Sequence, residues 1–397
     1  MATFSTRFLG CKVSFADAQS IRERLLADGH VEVDDGGEIQ VVNTCCVTHE
    51  AVSKSRQAAS RAARSARAVY VTGCASNLED AFVGAPENVV VTRRTGDAAA
   101  DFVAGDVGAI GCVDASHRLD RVRAFVRIQD GCSFSCAFCV IPLVRGGTRS
   151  RTADAVLSEV RRRVRQGHRE VVLTGVNLGC FRDRAAGYTL ARLVREAGAT
   201  PGLERLRLSS IEVNHVTDDL VDALTGTPTV SAHLHAPLQS GDDGVLQAMG
   251  RRYTAAQFER RLEPLRALNL TTDVIVGFPG EDDAAFERTC ALVERLGMTR
   301  VHVFPYSPRP GTRTAEADTV PYAVKRERGR RLRALSDELS RRRWESRVGT
   351  TDRVLVDRPG RGYADDYTPW LVDAEVGALV TARAVGVGEE GVLAVAA

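Results

Sequence analysis

The stretch Val122-Arg-Ala-Phe-Val-Arg-Ile128, followed almost at once by Cys132-Ser-Phe-Ser-Cys136-Ala-Phe-Cys139, joins an apolar strand to three closely spaced cysteines. Three soft thiolates this close suit iron–sulfur ligation. Three protein ligands leave one iron of a four-iron cluster open, and an open metal position is where a small molecule can coordinate and react. Structural zinc is the plain competitor, but such sites recruit two pairs of ligands. No second pair of Cys or His follows at the needed distance.

Working outward, further apolar runs at 170–173, 206–209, 233–236, 273–276 and 301–304 make six expected strands. Helical patterns at 153–166, 189–197, 218–224, 244–249, 255–268 and 283–296 separate them, which predicts an open or partial (βα)-barrel of six units. The cysteine loop then follows the first barrel strand, on the end where barrel enzymes carry their sites. Upstream, strands at 4–9, 39–44 and 68–72 alternate with helices at 15–27 and 48–66, the pattern of a doubly wound parallel sheet ending near 107–120. Cys11, Cys45 and Cys74 each fall just after one of these strands. In a parallel sheet the strand C-termini share one edge, so three cysteines far apart in sequence can meet in one crevice.

Prolines 305, 308 and 310 end the central region. A charged helical stretch at 324–347 follows, and 321–347 carries ten basic and four acidic residues. Such runs are more often solvated faces than nucleic-acid surfaces. Short β-like runs at 353–356, 378–385 and 392–395 suggest a small C-terminal β-barrel.

Composition sets the outer bounds. With 397 residues, 44% hydrophobic and 26% charged, the chain is globular and multidomain. Its 53 basic residues against 51 acidic look neutral, yet only Lys12, Lys54 and Lys325 are lysines. An arginine excess arises from codon bias as readily as from phosphate contact. No apolar run spans a bilayer and no leader pattern opens the chain, so a soluble cytoplasmic protein is expected. Ten dispersed cysteines without an export signal favour thiolate ligation over a disulfide scaffold. Cys46 adjoins Cys45, and Cys112, Cys180 and Cys290 have no partner spacing; all four read as small buried hydrophobes.

The Cys-x3-Cys-x2-Cys spacing, with Phe138 before its third cysteine, resembles the signature of radical S-adenosylmethionine (SAM) enzymes. Cys-Ala-Phe-Cys-Val-Ile-Pro-Leu-Val-Arg-Gly (136–146), His-Leu-His-Ala-Pro-Leu-Gln-Ser-Gly (233–241) and Asp-Val-Ile-Val-Gly-Phe-Pro-Gly-Glu (273–281) resemble its methylthiotransferase branch, over nearly the whole chain. The resemblance implies an α/β protein: an N-terminal doubly wound parallel-sheet domain (1–110), a partial (βα)6 radical SAM barrel (118–318), a basic helical connection (319–347) and a small, truncated TRAM-like β-rich domain (348–397).

It also implies two [4Fe-4S] clusters, one on Cys132, Cys136 and Cys139 and a second, for sulfur insertion, on Cys11, Cys45 and Cys74. SAM contacts are implied at Phe138, Thr174, Gly175, Ser209, Glu212, Gln239, Ile275 and Gly277. Asp273 stands where the family's adenine-binding segment usually has glycine. His233 and His235 read as structural hydrogen-bonding residues, for want of a third ligand. Arg145, Arg149 and Arg151 form a basic loop suited to phosphate, and Tyr363, Tyr367 and Trp370 suit stacking on single-stranded bases. A hairpin packing its own aromatics is the bland alternative. No catalytic residue beyond the cluster cysteines is assigned.

By this resemblance the chain converts the C2–H of N6-threonylcarbamoyladenosine at tRNA position 37 to C2–SCH3. SAM serves as methyl donor and as source of a 5′-deoxyadenosyl radical. Leu9-Gly10-Cys11-Lys12-Val13, residues 302–312 (His-Val-Phe-Pro-Tyr-Ser-Pro-Arg-Pro-Gly-Thr) and the 363–367 segment carry the substrate reading. The partners implied are the tRNA anticodon stem-loop and a flavodoxin- or ferredoxin-type electron donor, with a monomer as the default. Isopentenyladenosine in tRNA and a ribosomal-protein aspartate are alternative substrates. A non-catalytic iron–sulfur sensor or RNA-binding protein is the reading from another class.

Overall fold

A computed structural model describes residues 1–110 and 122–397. Cys112 and most of the expected boundary at 107–120 lie outside the described residues. The chain divides into two compact units that are not contiguous in sequence. One gathers residues 1–110, 130–149 and 309–313; the other holds 122–129, 150–308 and 314–397. The cysteine loop at 132–139 falls in the first unit.

The first unit runs β1 (Thr3–Phe8), α1 (Lys12–Ala27), β2 (Val31–Glu32), β3 (Ile39–Thr44), α2 (His49–Ala62), β4 (Ala68–Gly73), β5 (Val89–Val91) and α3 (Gly96–Val107). Its sheet has the order β2-β1-β3-β4-β5, parallel throughout. Side chains alternate across a strand, and the central strands use both faces. Val41 packs with Phe4, Ile21, Leu25 and Val103 on one face, while Val42 packs with Ala58, Ala59 and Val71 on the other. The three expected strands are present. β2 and β5 escaped the sequence reading because two or three residues are too few to show a period.

In chain order there follow β6 (Arg123–Asp130), α4 (Ile141–Arg145), β7 (Arg149–Ser150), α5 (Ala153–Arg165), β8 (Glu170–Gly175), the short pair β9 (Arg182–Asp183) and β10 (Tyr188–Thr189), α6 (Leu190–Gly198) and β11 (Arg205–Leu208). Then come α7 (Asp218–Gly226), β12 (His233–His235), α8 (Asp243–Ala248), α9 (Ala255–Leu262), β13 (Asn269–Val276), α10 (Asp283–Arg295) and β14 (Arg300–Pro305). In the second unit β11-β8-β6 and β12-β13-β14 form two parallel groups. They are stitched where Ile211 N–H donates to the His235 carbonyl at 2.9 Å. These are the six strands expected. Thr152, Thr189, Thr217, Asp242, Thr254 and Asp282 each cap the helix that follows, accepting a backbone N–H. Short polar caps at strand-to-helix loops set where each helix starts.

α11 (Tyr322–Glu345) lies against β14, its Ser336 Oγ accepting the Val301 N–H at 2.9 Å. Part of its charge is structural: Arg328 is buried and pairs with Glu281 at 2.8 Å and Asp283 at 2.7 Å. β15 (Thr351–Arg358), β16 (Arg361–Tyr363), β17 (Pro369–Leu371), β18 (Leu379–Val387) and β19 (Val392–Ala396) close into a barrel of order β15-β16-β17-β19-β18. Short as it is, the C-terminal module therefore closes.

The aromatics of that module correct the sequence reading. Trp370 is fully buried in the small barrel's core with Val354, Val372 and Val392, so it is not available to stack on a base. Tyr363 and Tyr367 stack on each other at 4.8 Å, and the Arg207 guanidinium lies 4.2 Å from the Tyr367 ring. They seal the small barrel onto the face of β6, β8 and β11 that carries Arg123, Glu170, Arg205 and Arg207. Strand register sets these four side by side on one face, opposite the core-facing Val171, Leu173, Leu206 and Leu208.

Glu170 is fully buried and pairs with Arg205 at 3.2 Å and Arg207 at 3.0 Å. Burial alone would raise its pKa, but Arg207, Arg123 and Arg205 together hold it at about 2. Because the folded value lies below an unfolded value of about 4.3, the contribution is complete above that pH and is lost on acidification toward pH 2. Replacing Glu170 by Ala strands buried guanidinium groups, so at pH 7 it lowers unfolding stability by about 3–5 kcal/mol. Denaturant unfolding of both proteins from pH 7 down to pH 3 should show the difference shrinking as the pH falls.

Candidate functional site

All six cysteines singled out by the sequence lie in the first unit. Cys11 follows β1 as the N-cap of α1, Cys45 follows β3 and Cys74 follows β4. Their proximity appears in their electrostatics, since Cys45 feels both Cys74 and Cys11. Gly10, at φ +140°, leaves room where a Cβ would come within 3.1 Å of Cys45 Cβ. Cys46 is fully buried with Cys74, Ala75, Val140 and Val144. Its pKa is raised, chiefly by its hydrogen bond to Cys74 and by burial.

The loop bearing Cys132, Cys136 and Cys139 turns at Gly131, whose φ is +66° and whose Cβ position would lie 2.1 Å from the Gly147 carbonyl oxygen. Only glycine fits there. Phe134 N–H donates to Cys132 Sγ at 3.4 Å, the kind of amide contact that steadies a ligating sulfur. The three thiols are half-buried.

Arg145, at the end of α4, ties this loop to the other cysteines. Its guanidinium pairs with Asp17 of α1 at 2.6 Å and with Asp130 at 2.8 Å, and its Nε donates to Cys74 Sγ at 3.0 Å. The side chain is 1% exposed. Burial would lower its pKa, yet Asp17, Cys74 and Asp130 raise it well above the usual value. In turn Cys74 is drawn down to about 7, by the Cys46 hydrogen bond first and against the effect of burial, with Arg145 assisting. Arg309 is also buried here, with its Nε and Nη1 lacking a hydrogen-bond partner among the described residues.

In the second unit, polar side chains gather at the C-terminal ends of β8 and β11. Thr174 Oγ1 and Ser209 Oγ are buried without a hydrogen-bond partner among the described residues. The register of β8 and β11 sets them in line on one face. Gly175 leaves a gap that a Cβ would fill at 3.0 Å from Gln129 Oε1. Gln239 has φ +69°, rare for a residue with a side chain, and is held by Asp273 O at 2.8 Å and Ile275 N at 3.0 Å.

Residues 126–293 match the Radical SAM superfamily and residues 3–92 match an uncharacterized protein family, UPF0004. The chain is 32% identical to the threonylcarbamoyladenosine tRNA methylthiotransferase MtaB of Chlamydia pneumoniae, over 98% of this chain and 97% of that protein. It is 34% identical to the protein of that name from Thermotoga maritima, over 99% and 96%. The chain belongs to the radical SAM methylthiotransferase family. A tRNA-2-methylthio-N(6)-dimethylallyladenosine synthase of Alkalilimnicola ehrlichii is 36% identical over 89% of this chain and 86% of that protein. Among solved structures, the radical SAM methyltransferase TsrM from Kitasatospora setae, with cobalamin and a [4Fe-4S] cluster bound, shares the fold. Its TM-score is 0.55 at 14% identity, covering 79% of this chain and 77% of that one.

For a radical SAM methylthiotransferase the donor sets fit. Cys132, Cys136 and Cys139 supply three thiolates on a loop pinned at Gly131. Phe138 is half-buried beside Cys139. Other residues of the expected set have protein partners. Glu212 is buried and ion-paired with Arg251, and its pKa is raised by burial against that pairing. Gly277 donates its N–H to Glu281 at 2.5 Å, and its missing Cβ makes room for Lys325, while Ile275 is buried. Arg145, expected on RNA, is instead walled in by two carboxylates and a thiol. Arg151 pairs with Glu159 at 2.6 Å, and Arg149 alone of the three is largely exposed.

The sequence reading missed Asp17, Asp130 and Arg309, because nothing in their spacing marks them. Replacing Arg145 by Met strands the buried Asp17 carboxylate and lowers stability by about 3–5 kcal/mol. Arg149→Ala, on the exposed side of the same loop, changes it by under about 0.5 kcal/mol. Denaturant midpoints of the two variants separate the roles.

Proposed function

We propose that this methylthiotransferase acts on tRNA, converting N6-threonylcarbamoyladenosine at position 37 to its 2-methylthio derivative with two [4Fe-4S] clusters, one on each cysteine triad. The observation that carries it is near full-length similarity to proteins of that name, together with both triads in one compact unit. Bound at Cys132, Cys136 and Cys139, a cluster with SAM would supply the one-electron chemistry that yields a carbon radical able to take the C2 hydrogen. The residues of the chain do the rest. Gly131 and the Phe134 amide hold the loop in shape, and Thr174 and Ser209 meet polar groups of SAM. Arg145 balances the negative charge of thiolates at Cys74. Arg149, the most exposed guanidinium of the basic loop and only loosely paired with Asp130, at 3.6 Å, is the member of that set open to a phosphate. A flavodoxin- or ferredoxin-type protein would deliver the electrons.

The second reading is dimethylallyladenosine, the modification in the name of the Alkalilimnicola relative. The extent of the likeness favours the first: the threonylcarbamoyladenosine enzymes match over 98% and 99% of this chain, the Alkalilimnicola relative over 89%.

The test is anaerobic reconstitution with SAM, reductant and tRNA carrying each hypomodified nucleoside, read as the mass of nucleoside 37. A methylthio gain on threonylcarbamoyladenosine is expected; a gain only on dimethylallyladenosine would move the substrate. Cys136→Ala should abolish 5′-deoxyadenosine formation. Cys45→Ala should leave it measurable and stop sulfur insertion, and equal loss of both activities would defeat the division between the triads.

A further inference from the structure

Across β12, β13 and β14, strand pairing sets His235 beside Thr271 and Asp273 beside His302. Thr271 and Asp273 are two residues apart on one strand, so all four side chains share a face. His235 Nε2 lies 3.2 Å from Asp273 Oδ1, and the rings of His235 and His302 are 5.6 Å apart. One ligand atom from each of His235, Asp273 and His302 falls within 4.8 Å of the others. The third ligand that the sequence reading could not find for His235 is thus supplied by two neighbouring strands.

Two imidazoles and one carboxylate are a donor set for zinc or ferrous iron, and they leave coordination positions for water or an oxygen ligand. The surroundings suit it. Thr271 Oγ1 lies 2.9 Å from His235 Nδ1 and 3.0 Å from His233 Nε2. Its single hydroxyl proton can serve only one of the two nitrogens. When it donates to His233, it accepts the Nδ1–H of His235, which fixes the tautomer whose Nε2 lone pair faces Asp273. Two acceptors then face each other, an arrangement that a cation resolves. An outer hydrogen bond to the non-ligating nitrogen is how metal-binding histidines are usually oriented.

We propose that His235, Asp273 and His302, none of them a member of either cysteine triad, form a mononuclear site for a divalent first-row transition ion. Nothing in this assignment depends on which nucleoside the enzyme modifies. The opposite tautomer, in which His235 Nε2–H simply donates to Asp273, is the metal-free competitor, and the experiment must tell them apart.

Anaerobically prepared protein with its iron–sulfur centres is equilibrated with zinc sulfate and freed of loose metal, and zinc, iron and sulfide are counted per chain. Wild type should retain about one zinc that His302→Ala and Asp273→Asn each lose with iron and sulfide unchanged. The zinc K-edge spectrum of wild type should show only nitrogen and oxygen neighbours near about 2.0–2.1 Å, with no sulfur near about 2.3 Å. Absence of retained zinc, equal zinc in wild type and both variants, or sulfur in its shell would overturn the proposal. The spectrum needs no variant, so a substitution that costs iron does not leave the question open.

Discussion

The first unit depends on one buried cation. Arg145 sits on the helix after the Cys132–Cys139 loop, yet its partners are Asp17, from the helix after Cys11, and Cys74, from the loop after β4. A guanidinium 1% exposed is tolerated only if every charge around it is answered. Its rigid fork reaches three partners at once, which a lysine's single ammonium does not. The same contact therefore folds the loop against the sheet edge and sets the charge felt by Cys74. Val140 and Val144, on the same helix and its approach, bury themselves against Cys46 and Cys74. Apolar packing and the ion pairs thus fix one arrangement.

The second unit is organised by an opposite device, a polar face that has to be covered. Arg123, Glu170, Arg205 and Arg207 occupy the face of β6, β8 and β11 that turns away from the helices. Arg205 donates to the carbonyl oxygens of Tyr363 at 3.0 Å and Arg353 at 2.6 Å. Asn269 Nδ2 donates to the Asp366 carbonyl at 2.8 Å. The small C-terminal barrel therefore completes the hydrogen bonding of the large one. Its tyrosines are spent on guanidinium faces, worth about 0.5–2 kcal/mol each.

How much of this the sequence disclosed follows from the range of the interactions. Strands of four residues or more, the helix caps and the Cys132–Cys139 spacing are local signals, and they gave the six barrel strands and the cluster loop. The gathering of Cys11, Cys45 and Cys74 was legible because a parallel sheet brings its strand C-termini to one edge. Arg145 was misread because its carboxylate partners lie 128 and 15 residues away, with no pattern to announce them. Trp370 was misread for a related reason. An aromatic among carboxylates looks the same in sequence whether its ring faces a base or the core of a five-stranded barrel.

The positions that break local rules lie where ligands would be needed. Gln239 keeps a left-handed backbone although it has a side chain, and its amide and carbonyl are clamped between Asp273 and Ile275. Among the described residues, Thr174 and Ser209 bury hydroxyl oxygens without a hydrogen-bond partner. Each such position costs on the order of 1–3 kcal/mol. A buried hydroxyl oxygen left without a partner in the folded protein can bond to a polar molecule without first breaking a bond already made. Stability is given up along this polar face, and it is recovered at Glu170 and Arg145, where every charge has its partner.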